Sequence, residues 1–119
     1  MSKPLDHTIT ALVADKPGVL AKVSGMFRRR GFNIANLAVG HSETPHLSRM
    51  TFVVQGDESV LEQVTKQLYK LVDVVHVSDI PRTHMVSREL ALIKIGTTES
   101  NRDEAIRLVH AFSASIMDE

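Results

Sequence analysis

The chain has 119 residues, 43% of them hydrophobic, enough for one domain with a real core, or for one domain and a fragment. Lys and Arg together number 14, as do Asp and Glu, so the formal charge is zero and the basic excess of a general nucleic-acid or anionic-membrane binder is missing. The absence of Cys excludes a disulfide framework, a thiolate metal site and a Cys nucleophile. With neither a signal-peptide core nor an apolar run of membrane-spanning length, the expectation is a soluble, cytoplasmic protein with no membrane partner.

Residues 7–14 read as a first strand, with Ile9, Ala11 and Val13 on one face and Thr8, Thr10, Leu12 and Ala14 on the other. Asp15-Lys16-Pro17-Gly18 then turns into a helix whose stripe is Val19, Leu20, Val23, Met26 and Phe27. Pro suits a helix start, because its missing N–H would be unpaired there anyway. Gly lets the backbone approach a ligand or adopt a conformation barred to other residues. The first helical turn adds unpaired N–H groups at the positive end of the macrodipole, which suits a carboxylate. The same residues also fit an ordinary helix start with no ligand. Gly31 stands where a helix-ending residue belongs, and Phe32 is placed for the hydrophobic contact of a Schellman end.

Residues 33–40 read as a second strand, with Ile34 and Ala38 near one face and Ala35, Leu37 and Val39 on the other. A polar loop over residues 41–46 leads to a third strand over 47–55, with Met50, Phe52 and Val54 sharing a face. Asp57 or Ser59 caps the next helix, and Ser59 with Glu62 has capping-box spacing. Its stripe is Val60, Leu61, Val64, Leu68 and Leu71, and residues 74–80 form a fourth strand with Val75 and Val77 on one face. The order βαββαβ, with right-handed crossovers, predicts a ferredoxin-like α+β fold: a four-stranded antiparallel sheet with both helices on one face. The other face still carries apolar side chains that call for cover. Residues 1–80 are therefore one domain and 81–88 a linker. Residues 89–119 read as the start of a second α/β unit cut short at the chain end. That unit has an apolar strand over residues 90–95, a cap cluster over 97–101, and a helix carrying Ala105, Ile106, Val109 and Phe112.

Catalytic machinery is not visible. The six His residues, at positions 7, 41, 46, 76, 84 and 110, lack metal-ligand spacing, and the loop holding His41, Glu43 and His46 reads as solvated. No nucleophile elbow, phosphate loop or dinucleotide glycine pattern is present. Arg28-Arg29-Arg30 reads as a solvated helix end, or as a docking patch for an acidic partner. An RNA-recognition domain shares the βαββαβ order but needs aromatics on its central strands, where only Phe52 is found.

Asp15-Lys16-Pro17-Gly18-Val19-Leu20, between first strand and first helix, resembles the signature turn of ACT domains, small βαββαβ modules that bind amino acids. The likeness narrows further on. Residues 27–34 (FRRRGFNI), 37–40 (LAVG), 47–51 (LSRMT), 67–74 (QLYKLVDV) and 88–95 (RELALIKI) resemble, in order, the regulatory small subunits of acetolactate synthase (acetohydroxyacid synthase). The resemblance implies a non-catalytic subunit of branched-chain amino-acid biosynthesis. Such a subunit activates a separate catalytic large subunit, which carries thiamine diphosphate, magnesium and FAD, and holds no cofactor itself. The resemblance also implies feedback by valine or a related amino acid, and a homodimer made by pairing ACT domains side by side. The effector then lies between the first turn of one subunit and the start of strand two of the other. Carried onto this chain, its contacts are Asp15, Pro17, Gly18, Val19 and Leu20, with Asn33 and Ile34 opposite. Gly18 and Val19 N–H groups would hold the carboxylate, Asp15 the ammonium, Asn33 the polar end, and Ile34 an aliphatic side chain. Many members carry Asn where Asp15 stands, and most have a complete second ferredoxin-like domain. The alternative is an amino-acid-sensing ACT module serving another enzyme or a transcription factor.

Overall fold

A computed structural model describes residues 5–119, which divide into two compact units, the first ending at Val86 and the second spanning Ser87–Glu119. In the first unit the elements run β1 (Leu5–Ala14), α1 (Val19–Arg30), β2 (Asn33–His41), β3 (Leu47–Gly56), α2 (Glu58–Tyr69) and β4 (Val74–Ile80). The strands form one antiparallel sheet in the order β2-β3-β1-β4, as the ferredoxin-like reading requires. The core joins one sheet face to both helices. Val19, Val23, Met26 and Phe27 of α1 and Val64 and Leu68 of α2 cluster with Ile9, Ala11, Val13, Met50, Phe52, Val54, Val74 and Val77. All of these sheet residues lie on one face by register, so both helices cover that face.

The helix ends show how local sequence sets these elements. At the end of α1, Gly31 adopts a left-handed φ of 70°. Gly31 N–H donates to Arg28 O at 3.3 Å, and Phe32 N–H donates to Phe27 O at 3.1 Å. These are the two bonds of a Schellman motif, and the Phe27 and Phe32 rings meet edge-to-face with centroids 6.0 Å apart. At α2 the cap is Asp57, whose Oδ1 accepts from Val60 N at 3.1 Å and from the Ser59 hydroxyl at 2.6 Å. The expected Ser59–Glu62 capping box does not form. Ser59 lies inside the helix, and Glu62 pairs with Lys66 one turn on at 3.1 Å.

Two β-bulges correct the expected strand faces. Between Ile34 and Asn36 the β2–β3 register shifts by one residue. Ile34, Leu37 and Val39 therefore stand opposite Val54, Phe52 and Met50 on the helix side, whereas period-two reading had set Ile34 with Ala38. In β4 the shift falls opposite Leu12 and Val13, so Val74 and Val77 enter the core and Val75 lies exposed, against the expected pairing of Val75 with Val77. A bulge adds one unpaired residue and flips every later side chain to the other face. Leu37 and Val39 face the helix side at the sheet edge yet stay 39% and 51% exposed.

The second unit holds α3 (Arg102–Ala111), preceded by Asn101, whose Oδ1 accepts from Thr98 N at 2.7 Å. Arg102 pairs with Glu119 at 2.8 Å. Residues 90–95 belong to no ladder, and Leu90, Leu92, Ile93 and Ile95 are exposed, so the strand expected there is absent among the described residues. An apolar run becomes a strand only when a neighbour takes its backbone hydrogen bonds. Residues 82–84, read as linker, make a single 3₁₀ turn. No helix among the described residues is long and apolar enough to cross a membrane.

Candidate functional site

The turn between β1 and α1 is held by hydrogen bonds and ion pairs from several parts of the first unit. Gly18 adopts φ 86°, ψ −11°, a left-handed conformation that costs L side chains energy but not Gly. A Cβ there would meet nothing within 4 Å, so Gly answers a backbone requirement and the space above the turn is open. Gly18 O accepts the first helical bond, from Lys22 N at 3.0 Å. No side chain caps this end of α1, so the N–H groups of its first turn have neither an intrahelical nor a side-chain acceptor. Val19 is only 4% exposed, its side chain being part of the core, so it can offer a ligand only its backbone N–H. Leu20 is exposed beside it.

The loops leading into β3 and β4 hold the start of the turn. Ala14 N–H donates to Asp73 O at 2.8 Å, and Asp15 N–H donates to His46 O at 2.9 Å. His46 carries a left-handed φ of 68°, uncommon for a residue with a side chain. Asp15 Oδ2 lies 3.2 Å from His41 Nδ1, which ties the turn to the end of β2. The Asp73 carboxylate, 5% exposed, reaches Lys16 with Oδ1 at 3.1 Å and Lys22 with Oδ2 at 3.0 Å. Hydrogen bonds first from Lys22 and then from Lys16 hold its carboxyl below the usual carboxylate range. A further acid, Glu43, is lowered by its two-pronged contact with Arg49, both bonds 3.0 Å long.

The structure brings Asp15, Pro17, Gly18, Val19 and Leu20 together, but sets Asn33 and Ile34 apart from them. Asn33 donates from Nδ2 to Gln55 Oε1, and Gln55 stands opposite Asp6. The turn follows Ala14, which pairs with Leu47 at the other end of β3. Asp6 and Ala14 are eight positions apart on β1, roughly 27 Å at a strand's rise. Within one protomer the two groups of expected contacts lie at opposite ends of the sheet. Ile34 is half-buried against the core.

Sequence reading placed Lys16 in the turn without giving it a role, and missed Lys22, His41, His46 and Asp73 as groups that hold it. Asp73 left a trace, an acid amid an apolar run between helix and strand. His46, after Pro45, is among the residue types enriched at positive φ. No cluster of three metal-ligating side chains exists among the described residues, and His41 is engaged with Asp15. In the second unit a shallow hollow of about 150 Å³, lined in part by Ile95, Asn101, Glu104 and Leu108, is smaller than the ~300–1,000 Å³ of ordinary small-molecule pockets.

Comparison with known proteins follows the same division. A family described as the AHAS small subunit-like ACT domain matches residues 9–76, and one described as the small subunit of acetolactate synthase matches residues 88–119. A probable acetolactate synthase small subunit of Methanothermobacter thermautotrophicus is 50% identical over 117 residues, covering 98% of this chain and 70% of its own length. The corresponding protein of Archaeoglobus fulgidus is 52% identical over 114 residues, covering 96% of this chain and 71% of its own. The crystal structure of the acetolactate synthase small subunit from Thermotoga maritima superposes with a TM-score of 0.79 at 36% identity, over 97% of this chain and 72% of that one.

Proposed function

The chain belongs to the family of acetolactate synthase small subunits, and from that premise we propose that it activates a catalytic acetolactate synthase subunit and carries a feedback site for valine or a related branched-chain amino acid. The observation that carries this reading is the open turn at Gly18. Uncapped N–H groups at the positive end of α1 would receive the amino-acid carboxylate, and Asp15 its ammonium. The site would be shared between two protomers, because Asn33 and Ile34 lie at the far end of their own sheet. β2 is an edge strand with apolar Leu37 and Val39 still exposed, as an unpaired interface would be. Pairing β2 antiparallel with a second copy about Leu37 would set Asn33 opposite His41 of the partner subunit. His41 is bonded to Asp15 within its own protomer, so Asn33 would thereby come beside the other turn. The chain would itself perform no chemistry; thiamine diphosphate, magnesium and FAD would belong to the catalytic subunit.

Calorimetric titration with valine, leucine and isoleucine tests the effector site, and acetolactate formation by the catalytic subunit with and without this chain tests activation. Asn33→Ala should weaken effector binding by roughly 1–3 kcal/mol, the cost of leaving polar groups unpaired, while dimer mass and activation persist. Unchanged affinity in that variant puts the site elsewhere. Acetolactate made by this chain alone refutes the regulatory reading.

A further inference from the structure

Asp73 and Ser48 are the buried polar residues among the described residues of this fold, and Asp73 is the charged one. A buried ion pair is a poor source of stability, since well-packed apolar residues often serve a core as well or better. The placement of Asp73 is better explained by what it holds. Its carbonyl takes Ala14 N–H, the last amide of β1. Its two carboxylate oxygens take separate ammonium groups: Lys16 on the turn, and Lys22, whose own N–H makes the first helical bond to Gly18. The two lysines flank Gly18, the most permissive residue of the loop, so the carboxylate spans the turn like a crossbar. Both ammonium groups are also engaged on Asp73 itself.

We propose that Asp73 is the positioning residue of the effector turn, bracing Gly18 through Lys16 and Lys22 so that the first N–H groups of α1 are preset to receive an amino-acid carboxylate. The inference rests on the effector reading above. Asp73 touches no effector; it acts by lowering the cost of ordering the turn on binding, as preorganised loops do. The Lys16 and Lys22 side chains are exposed along much of their length, and the ion pairs they make among the described residues are to this shared carboxylate.

The test is calorimetric titration of the full chain with valine, leucine and isoleucine, in wild type, Asp73→Asn, Lys22→Met and the double variant. Asp73→Asn should weaken binding about three- to tenfold, and Lys22→Met should weaken it in the same sense. The double variant should be no weaker than the worse single variant, because both changes break one brace. Melting curves confirm that each variant is folded at the titration temperature. A merely structural role would lower the melting temperature and leave the affinity of the folded protein alone. If Asp73→Asn does not fold, the exposed Lys16→Met and Lys22→Met carry the comparison. Wild-type binding with unchanged affinity in the variants overturns the brace alone. A wild type that binds none of the three amino acids overturns the effector reading, and the brace with it.

Discussion

Replacing Gly18 with Ala separates the folding role of the turn from its binding role. The added methyl meets no atom within 4 Å, so there is no steric penalty to reckon. What remains is the cost of holding an L residue at φ 86°, about 1–2 kcal/mol. Alanine also stiffens the unfolded chain, which favours folding by about 0.4–1 kcal/mol at ordinary positions, but at positive φ the strain outweighs it. The net loss is therefore roughly 1 kcal/mol. For a unit of 86 residues, Met1–Val86, that lowers the melting temperature by roughly 4–8 °C. Gly31→Ala is the matched control: it too has positive φ, 70°, and nothing within 4 Å of an added Cβ, so its melting temperature should fall by a similar amount. The two should part in binding. A methyl at position 18 would occupy open space at the turn that the proposed effector needs, so on that reading valine affinity should fall well beyond what the stability loss explains, while Gly31→Ala should stay within about twofold of wild type. Circular-dichroism melts and calorimetric titration, run where both variants are folded, decide it. Equal loss of affinity in both would mean that binding follows stability and that Gly18 has no part in the site. An unshifted melting temperature in Gly18→Ala would refute the left-handed conformation itself.

Three further outcomes follow from the same structure. Phe27, 1% exposed, packs against Phe52 at a centroid distance of 4.9 Å and against Phe32, so Phe27→Ala should cost about 3–5 kcal/mol in urea unfolding; a loss under about 1 kcal/mol would mean that the core closes over the gap. Tyr69 Oη accepts Val77 N–H at 2.9 Å and donates to Val77 O at 3.2 Å, standing in for a neighbour on the outer strand β4. Tyr69→Phe should cost about 1 kcal/mol and speed hydrogen exchange at the Val77 amide; unchanged protection there contradicts the contact. The Asp73, Glu43 and Asp57 carboxyls all lie below their ordinary range, held there by Lys22 and Lys16, by Arg49, and by Ser59 and Val60 N–H respectively. The unfolded chain therefore binds protons more readily, and acid favours it. Their contribution is whole above the ordinary carboxylate pKa of about 4 and is lost as pH falls through the lowered values. A melting temperature that holds steady from about pH 5 to about pH 3 would contradict these pairings.

Much of the fold was legible because its signals are local. The stripes of α1 and α2 repeat at helical spacing, and Gly31 with Phe32 ends α1 through neighbours no more than five residues apart. The order βαββαβ follows from such runs, and crossover handedness then fixes the sheet. The Asp15–Leu20 turn was legible as a Pro-Gly helix start, whereas the left-handed angle of Gly18 and the uncapped end of α1 came from the structure. Tertiary structure decided the rest. Whether Ile34 shares a face with Ala38 or with Leu37 depends on which residue of β3 stands opposite, and a bulge leaves no mark on period two. The choice of Asp57 over Ser59 as cap turns on backbone angles that both residues could adopt. Residues 90–95 have the composition of a strand, but a strand exists only with a partner to bond. Asp73 is 51 positions from Lys22, and their pairing arises because β4 begins where β1 ends. The same packing sets Asn33 and the Gly18 turn at opposite ends of one sheet. The family resemblance therefore offered both groups of expected contacts, while their separation within one protomer came from strand pairing, which depends on contacts between residues far apart in the chain.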